Sequence, residues 1–464
     1  MIRRAVFGGT ALMAAVLTAA AEDFPLKFET IPAQEVMEFP GGSGTFGMLT
    51  LDKPGRVRRE PKAVSERPLY GLCRQMPSGP AFVCRLDESQ GTGQGYDRLI
   101  VDMNDNGDLT DDAVAKPVAL PDQPRVFSPG REQTLFGPIP APEGKLIAGG
   151  RPVYYAQVLY LFSRQLLAGR PGPNAIMGQL RFKAGWYLDT TVEMGGVKRR
   201  VGVFDGDNNL RLGDPWQPQD YQMERGGGRM WYFQPGDSFL VRANDSGKFE
   251  TDPFESGYCP FGPVLYIGAT PCQASLAADN TFLRVEPWKG DLAEVQLVPH
   301  GKQVSSLTLA RERPNGRWEL MQPVVAEGRI KVPPGTYRLY ACTLLGSGAQ
   351  GRDHIKLSAN DRTLKSPFRF AAGNTNVMAC GAPLRVKVNA EKTGPQGVTS
   401  RLLGLFSGGS ESVLRISATV LGAEGETYST FLKGERFDAS PPRPTFSVLD
   451  ARGNRLASGN LEYG

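Results

Sequence analysis

Apolar and polar residues alternate with a period of two along much of this chain, and this pattern constrains the fold more than any other feature. In the segment 412–420 one face is apolar, with Leu414, Ile416, Ala418 and Val420. Such alternation is typical of strands that bury one face, and no long stretch has the period of 3.6 that an amphipathic helix requires. The chain also has 56 Gly and 37 Pro among 464 residues, which provide many turns. The sequence therefore predicts an all-β fold.

Breaks in the alternation predict several modules. Trp186–Val192 and Val197–Phe204 flank Gly195 and Gly196, a pair that suits a tight hairpin turn. Lys392–Gly397 has the Gly and Pro of a linker. We expect a signal peptide at 1–21, a larger N-terminal β domain, or two, at 22–278, and two small Ig-like β-sandwiches at 279–390 and 398–464. Within the first sandwich, Val332–Tyr337 resembles the late hairpin of transthyretin-like and carboxypeptidase-regulatory-like sandwiches, over six residues.

The N-terminus has the features of a secretory signal. Arg3 and Arg4 precede a short apolar stretch, Ala5–Leu17, and Ala19–Ala21 provides the small residues of a cleavage site. The apolar stretch is too short to span a bilayer, and no later segment has 18 consecutive apolar residues. The sequence thus predicts export to the periplasm, cell surface or medium, with no membrane span.

The cysteine count agrees with export. The chain has six Cys, an even number that in an exported protein indicates disulfides. Six Cys allow fifteen pairings. Proximity along the chain favours the sequential set: Cys73–Cys84, Cys259–Cys272 and Cys342–Cys380.

Two loops with alternating Asp and Asn repeat each other. Each follows an apolar strand, one at 102–112 and the other at 205–214. Aligned on the first Asp, both have an oxygen-bearing side chain at +2, Asn at +4, Leu at +7 and Asp at +9. Alternate Asp and Asn side chains can surround one centre with oxygens, which Ca²⁺ binds in sets of six to eight. The Leu is expected to enter the core beneath the loop.

The two loops resemble the first half of EF-hand-type and dockerin-type calcium loops, over about ten residues each. The resemblance implies the ligands Asp102, Asn104 and Asn106, a backbone carbonyl from Asp108, and, in the second loop, Asp205, Asp207 and Asn209. Ala113 and Trp216 occupy the twelfth position, where the family has an acidic ligand. We expect Asp111 (or Asp112) and Asp214 to close the sites instead, with Ca²⁺ in a structural role.

Few catalytic arrangements fit this composition. The chain has only two His, His300 and His354, both in polar contexts, so a Ser-His-Asp or Cys-His centre is disfavoured. A net charge of +5 without a Lys/Arg run gives no support to nucleic-acid binding. The sequence favours a secreted, non-enzymatic, calcium-stabilised structural or adhesive protein, whose partner would be a polysaccharide or a cell-surface protein.

Two alternatives remain open. The first is a carbohydrate-binding protein whose aromatic side chains stack on sugar rings, with candidates Trp216, Trp231 and Tyr232. The second is a secreted hydrolase that uses a pair of carboxylates. An exposed aromatic platform would favour the first alternative, and a deep cleft with two facing acids would favour the second.

Overall fold

A computed structural model of the chain describes residues 21–36, 39, 45–75, 81–91, 95–119, 133–160, 177–222, 229–242, 249, 258–298, 303–347, 354–360, 367–381, 383–393, 413–423, 425–433 and 445–460. The signal peptide expected at 1–21 lies outside these residues except for Ala21. The helix of the described part is the short α1 (Ala33–Val36), and no described helix is long and apolar enough to cross a membrane.

The described residues are almost entirely strands, which confirms the all-β prediction. In the N-terminal part these are β1 (Glu22–Pro25), β2 (Lys27–Thr30), β3 (Thr45–Thr50), β4 (Leu69–Gln75), β5 (Ala81–Glu88), β6 (Tyr96–Val101), β7 (Val114–Ala115), β8 (Gln133–Pro140), β9 (Val153–Tyr160), β10 (Gly178–Ala184), β11 (Trp186–Met194), β12 (Val197–Phe204), β13 (Gln217–Gln222), β14 (Arg229–Gln234), β15 (Ser238–Val241), β16 (Tyr258–Pro260), β17 (Val264–Ile267), β18 (Thr270–Leu276) and β19 (Phe282–Pro287).

The C-terminal part continues in the same way. Its strands are β20 (Ala293–Val298), β21 (Gln303–Glu312), β22 (Trp318–Met321), β23 (Arg329–Val332), β24 (Gly335–Ser347), β25 (His354–Asn360), β26 (Phe368–Phe370), β27 (Asn376–Ala379), β28 (Arg385–Thr393), β29 (Val413–Leu421), β30 (Thr427–Lys433), β31 (Thr445–Leu449) and β32 (Arg455–Asn460).

Three sheets share the N-terminal core. They are an eight-stranded sheet in the order β7-β6-β5-β4-β3-β10-β9-β8, a five-stranded sheet β16-β15-β12-β11-β2 and a four-stranded sheet β1-β19-β18-β17. Side chains along β11 alternate between the core and a more open face, as the period of two predicts. Trp186 at its start is fully buried and stacks on Phe28 with ring centroids 5.6 Å apart. The expected hairpin joins β11 to β12 through Gly195 and Gly196, both with positive φ.

A second core lies in the C-terminal part. It is enclosed by the three-stranded sheet β23-β20-β27 and by a sheet in the order β22-β21-β24-β25-β30-β29-β28, in which β26 also pairs with β24. The module borders expected from the sequence stay a prediction, and some contacts between strands cross them. The first core extends past 278 through β19, and β28 pairs with β29 across the expected linker, so that β28–β30 extend the sheet of β24 and β25. The hairpin β31–β32 forms a two-stranded sheet of its own.

The three expected disulfides are not present as bonds, because all six cysteines are buried free thiols. Cys73 and Cys84 lie on the paired strands β4 and β5, and their mutual hydrogen bond, together with burial, raises the pKa of the Cys73 thiol. Cys342 and Cys380 likewise contact each other in the second core. Cys259 lies on β16 of the five-stranded sheet and Cys272 on β18 of the four-stranded sheet, although the two are close in the sequence.

Candidate metal centre

The two Asp/Asn loops have the same hydrogen bonds around their first aspartate. Asp102 Oδ1 accepts the backbone N–H of Asn106 at 3.1 Å, and Asp102 Oδ2 accepts the backbone N–H of Gly107 at 2.9 Å. The corresponding distances at Asp205 are 3.1 and 3.2 Å. The carboxylate of each first Asp therefore organises the turn that follows it.

The asparagine at +4 completes the repeat. Its side-chain amide donates to the Asp at +9, from Asn106 to Asp111 at 2.8 Å and from Asn209 to Asp214 at 2.7 Å. Its Oδ1 accepts the N–H at +6, at 2.6 and 2.7 Å respectively. Its own N–H also reaches the side-chain oxygen at +2, at 3.1 and 3.2 Å. The repeat seen in the sequence is thus a repeat in three dimensions.

The backbone follows the same path in both loops. Positions +3 and +5 are left-handed, with φ of 57° at Asp105 and 75° at Gly107, and of 57° at Asn208 and 63° at Leu210. The second loop thus keeps this conformation although Leu210 replaces glycine, at a strain of about 1–3 kcal/mol. As expected, Leu109 at +7 is buried, while Leu212 is partly buried against the first core.

Strand pairing brings a third acid to the second loop. The last residue of β12, Phe204, pairs with the first residue of β15, Ser238. Asp205 follows the one strand and Asp237 precedes the other, so the antiparallel register places them at the same end of the pair. Asp237 is not predictable from the local sequence, because nothing in its spacing connects it to the loop. The one available signal was the Pro235-Gly236-Asp237 turn before an apolar strand.

Asp205, Asp207 and Asp237 form a buried cluster. Each offers a carboxylate oxygen, and these oxygens lie within 4.8 Å of one another, the one such group of acidic, cysteine or histidine side chains in the part of the chain that the structure describes. Burial, and then the neighbouring carboxylates, raise the pKa values of Asp205 and Asp237 well above the usual range. Buried like charges are costly unless an opposite charge joins them. The cluster could hold a metal ion.

Neighbouring donors fix the position of the cluster. Asp237 accepts the N–H groups of Gly213 at 2.6 Å and Asp214 at 2.8 Å, and Tyr154 donates its hydroxyl to Asp205 at 2.8 Å. These hydrogen bonds join the loop, the turn before β15 and strand β9. The carboxylates are therefore held in place by three separate segments.

The first loop has the same frame but a more open set of oxygens. Asp102 is buried, whereas Asn104, Asn106 and Asp111 are exposed. The side chain of Asp108 accepts hydrogen bonds from the backbone N–H of Thr110 and from Arg59. With Arg59 on Asp108 and Arg56 on Asp105, guanidinium groups offset part of this loop's negative charge.

Asp112, the alternative to Asp111, is an acid of the first loop whose pKa is raised. Its Oδ2 is buried without a hydrogen-bond partner in the described structure, and burial raises its pKa to about 7. An acid with a raised pKa holds its proton more tightly in the folded than in the unfolded state. In chelator, we therefore expect the free energy of unfolding to fall as the pH rises from about 4 to about 7. Denaturant unfolding across this range measures the fall, which Asp112→Asn should reduce, and an equal fall in that variant would contradict the assignment.

Close backbone contact restricts position 206 to glycine. A Cβ built on Gly206 lies 2.2 Å from the carbonyl oxygen of Gly236. We expect Gly206→Ala to push the loop away from the turn that carries Asp237, to lower stability by about 1–3 kcal/mol and to weaken metal binding. Denaturant unfolding and metal titration measure both effects. Gly55→Ala is the matched control, because a Cβ at that position has no atom within 4 Å, and equal effects of the two variants would refute this explanation.

Of the three aromatic candidates, the structure describes the side chain of Trp216. The ring of Trp216 is half-buried against Phe233, Ala310 and Leu320, and its indole N–H donates to the carbonyl of Asp237 at 2.8 Å. Trp216 therefore packs between the metal-centre turn and the C-terminal strands. The side chains of Trp231 and Tyr232 lie outside the described part of the structure.

The second loop and the turn before β15 thus bring three buried carboxylates, the Asn209 amide oxygen and Asp214 into one small region. The first loop has the same hydrogen-bonded frame but lies nearer to solvent. All these candidate ligand groups are oxygens. Comparison of the chain with protein-family models, with curated proteins and with solved structures finds no match.

Proposed function

We propose that this protein is a calcium-stabilised, non-enzymatic structural or adhesive β protein of the cell exterior. The observation that carries the proposal is the buried cluster of Asp205, Asp207 and Asp237 at the common end of β12 and β15. An ion bound there joins the two strands to the Asp/Asn loop, so its binding free energy adds to the stability of the fold.

The donor set favours calcium over other common ions. Zinc and the later transition metals prefer nitrogen or sulfur ligands, whereas the cluster offers carboxylates. Magnesium requires near-ideal octahedral geometry at about 2.0–2.1 Å, whereas Ca²⁺ accepts six to eight oxygens in irregular arrangements. The oxygens of the cluster come from an irregular loop and from a separate turn, and this arrangement suits Ca²⁺, which is larger and accepts irregular geometry.

An exterior location is consistent with the proposed calcium binding. Extracellular modules bind Ca²⁺ with dissociation constants of about 10⁻⁴–10⁻³ M, so such sites fill only where calcium is abundant. A polysaccharide or a cell-surface protein remains the proposed kind of partner.

Calorimetric titration of the chelator-treated protein with CaCl₂, and separately with MgCl₂, tests the proposal. We expect calcium to bind, with the tighter event lost in Asp207→Asn and retained in Asp102→Asn, because the second loop has more buried carboxylate. Magnesium should bind more weakly. No calcium binding, or a tight event that survives in Asp207→Asn, would overturn the proposal.

A further inference from the structure

A cleft of about 450 Å³ lies between the N-terminal and C-terminal strands, remote in the chain from both Asp/Asn loops. Strands β18 and β19 form one wall, and β21 and β22 form the other. Its polar lining consists of Gln273, Ser275, Arg284, Glu286, Arg313 and Glu319, and Trp288 and Arg311 also line it. The volume is in the range of small-molecule sites, which often lie where two parts of a protein meet.

The charges around the cleft leave a positive surplus. Arg284 pairs with Asp23 through two nitrogens at 2.7 and 2.9 Å, and Lys289 pairs with Glu286 at 2.6 Å. On the opposite wall, Arg311 and Arg313 share the single carboxylate of Glu319. Glu319 is 8% exposed, so its pairs are shielded from water. Because two guanidinium groups share one carboxylate, this wall of the cleft has one positive charge that no carboxylate of its own balances.

Two donors on the lining side chains have no acceptor. The Nε of Arg311 and the Nε1 of Trp288 are buried without a hydrogen-bond partner among the described residues. Arg311 Cζ lies 5.8 Å from the Trp288 ring centroid, so the two side chains are neighbours. A buried donor without an acceptor costs about 1–3 kcal/mol. Both side chains are half-buried and line the cleft, and a ligand oxygen that accepted either N–H would remove that cost.

We propose that this cleft binds the carboxylate of an acidic saccharide, a uronic acid unit. The guanidinium surplus and the two donors would receive the carboxylate oxygens. The indole of Trp288 and the apolar lining of Pro263, Val264 and Pro314 would contact the ring carbons, and the Gln273 and Ser275 side chains, which also line the cleft, would bind its hydroxyls. This site is independent of the proposed calcium centre.

Calorimetric titration with trigalacturonate, and with the neutral galactose trimer as its counterpart, tests the proposal. We expect only the uronate to bind. Trp288→Phe keeps an aromatic ring but removes the indole N–H. Arg311→Lys keeps the positive charge but removes the planar guanidinium with its several N–H donors. Each substitution should weaken uronate binding about tenfold or more. Arg317→Gln, on the exposed turn between β21 and β22, is the matched control and should leave binding unchanged.

Three results would overturn the proposal. They are no binding of the uronate, equal binding of the neutral trimer, and full uronate affinity in both Trp288→Phe and Arg311→Lys. Thermal melting of each variant shows whether it is folded. If one variant fails to fold, the other still tests the site, because each removes a different donor.

Discussion

Asp205→Asn is expected to remove most of the stabilisation of this protein by calcium. Asp205 contributes a fully buried carboxylate to the cluster and organises its loop through two backbone N–H groups. At a calcium concentration 100 times the dissociation constant, binding to the native state alone adds about 2.7 kcal/mol to the free energy of unfolding. The variant should lose most of this gain because amide nitrogen cannot replace a ligand oxygen.

Urea unfolding in chelator and in calcium at about 100 times the dissociation constant measures the effect. In chelator, the variant should lie within about 1 kcal/mol of the native protein, because the substitution also relieves the repulsion between buried carboxylates. Asp291→Asn, an exposed carboxylate outside both loops, is the matched control and should keep the full calcium response. An undiminished response in Asp205→Asn would remove Asp205 from the site.

Arg85→Ala should cause the largest loss of stability in the eight-stranded sheet. The Arg85 side chain is fully buried, and it donates to Asp87 at 3.1 Å, to Glu60 at 3.1 Å and to the carbonyl of Pro61 at 2.5 Å. Asp87 is also fully buried. Removing one partner of a buried ion pair leaves an uncompensated charge, at a cost of about 3–5 kcal/mol.

The double variant Arg85→Met with Asp87→Leu separates this charge effect from loss of packing. With both buried charges removed, we expect much of the stability to return, because apolar replacement of a whole buried pair is often neutral. Arg452→Ala, at an exposed hairpin turn, is the control and should change the free energy of unfolding little. A loss below about 1 kcal/mol in Arg85→Ala would show that the pair contributes no more than a surface ion pair.

The local features of the fold were predictable from local sequence. Alternation of apolar residues depends on which face of a strand is buried, so it predicted the strands and the hairpin at Gly195 and Gly196. The spacing of Asp and Asn likewise predicted two equivalent loops, since the hydrogen bonds that the two loops share join residues at most five apart. Even the left-handed positions follow this repeat, although Leu210 breaks the glycine rule.

The features that the sequence did not reveal depend on strand pairing over long distances. Asp237 joins the metal centre because β15 pairs with β12, and no spacing rule predicts that pairing. Cys259 and Cys272 are close in sequence but belong to different sheets. The linker-like stretch at 392–397 begins in β28, whose partner β29 lies beyond it, so its composition did not mark a break between sheets.

The most direct test of the calcium centre is calorimetric melting of the protein in millimolar calcium and in chelator. The buried carboxylates predict a clear rise in Tm with calcium, because the ion binds the native cluster and not the unfolded chain. The rise should increase with calcium concentration and disappear in Asp237→Asn, the ligand that strand pairing supplies. Identical melting in calcium and in chelator would contradict the account and leave both loops as ordinary polar turns.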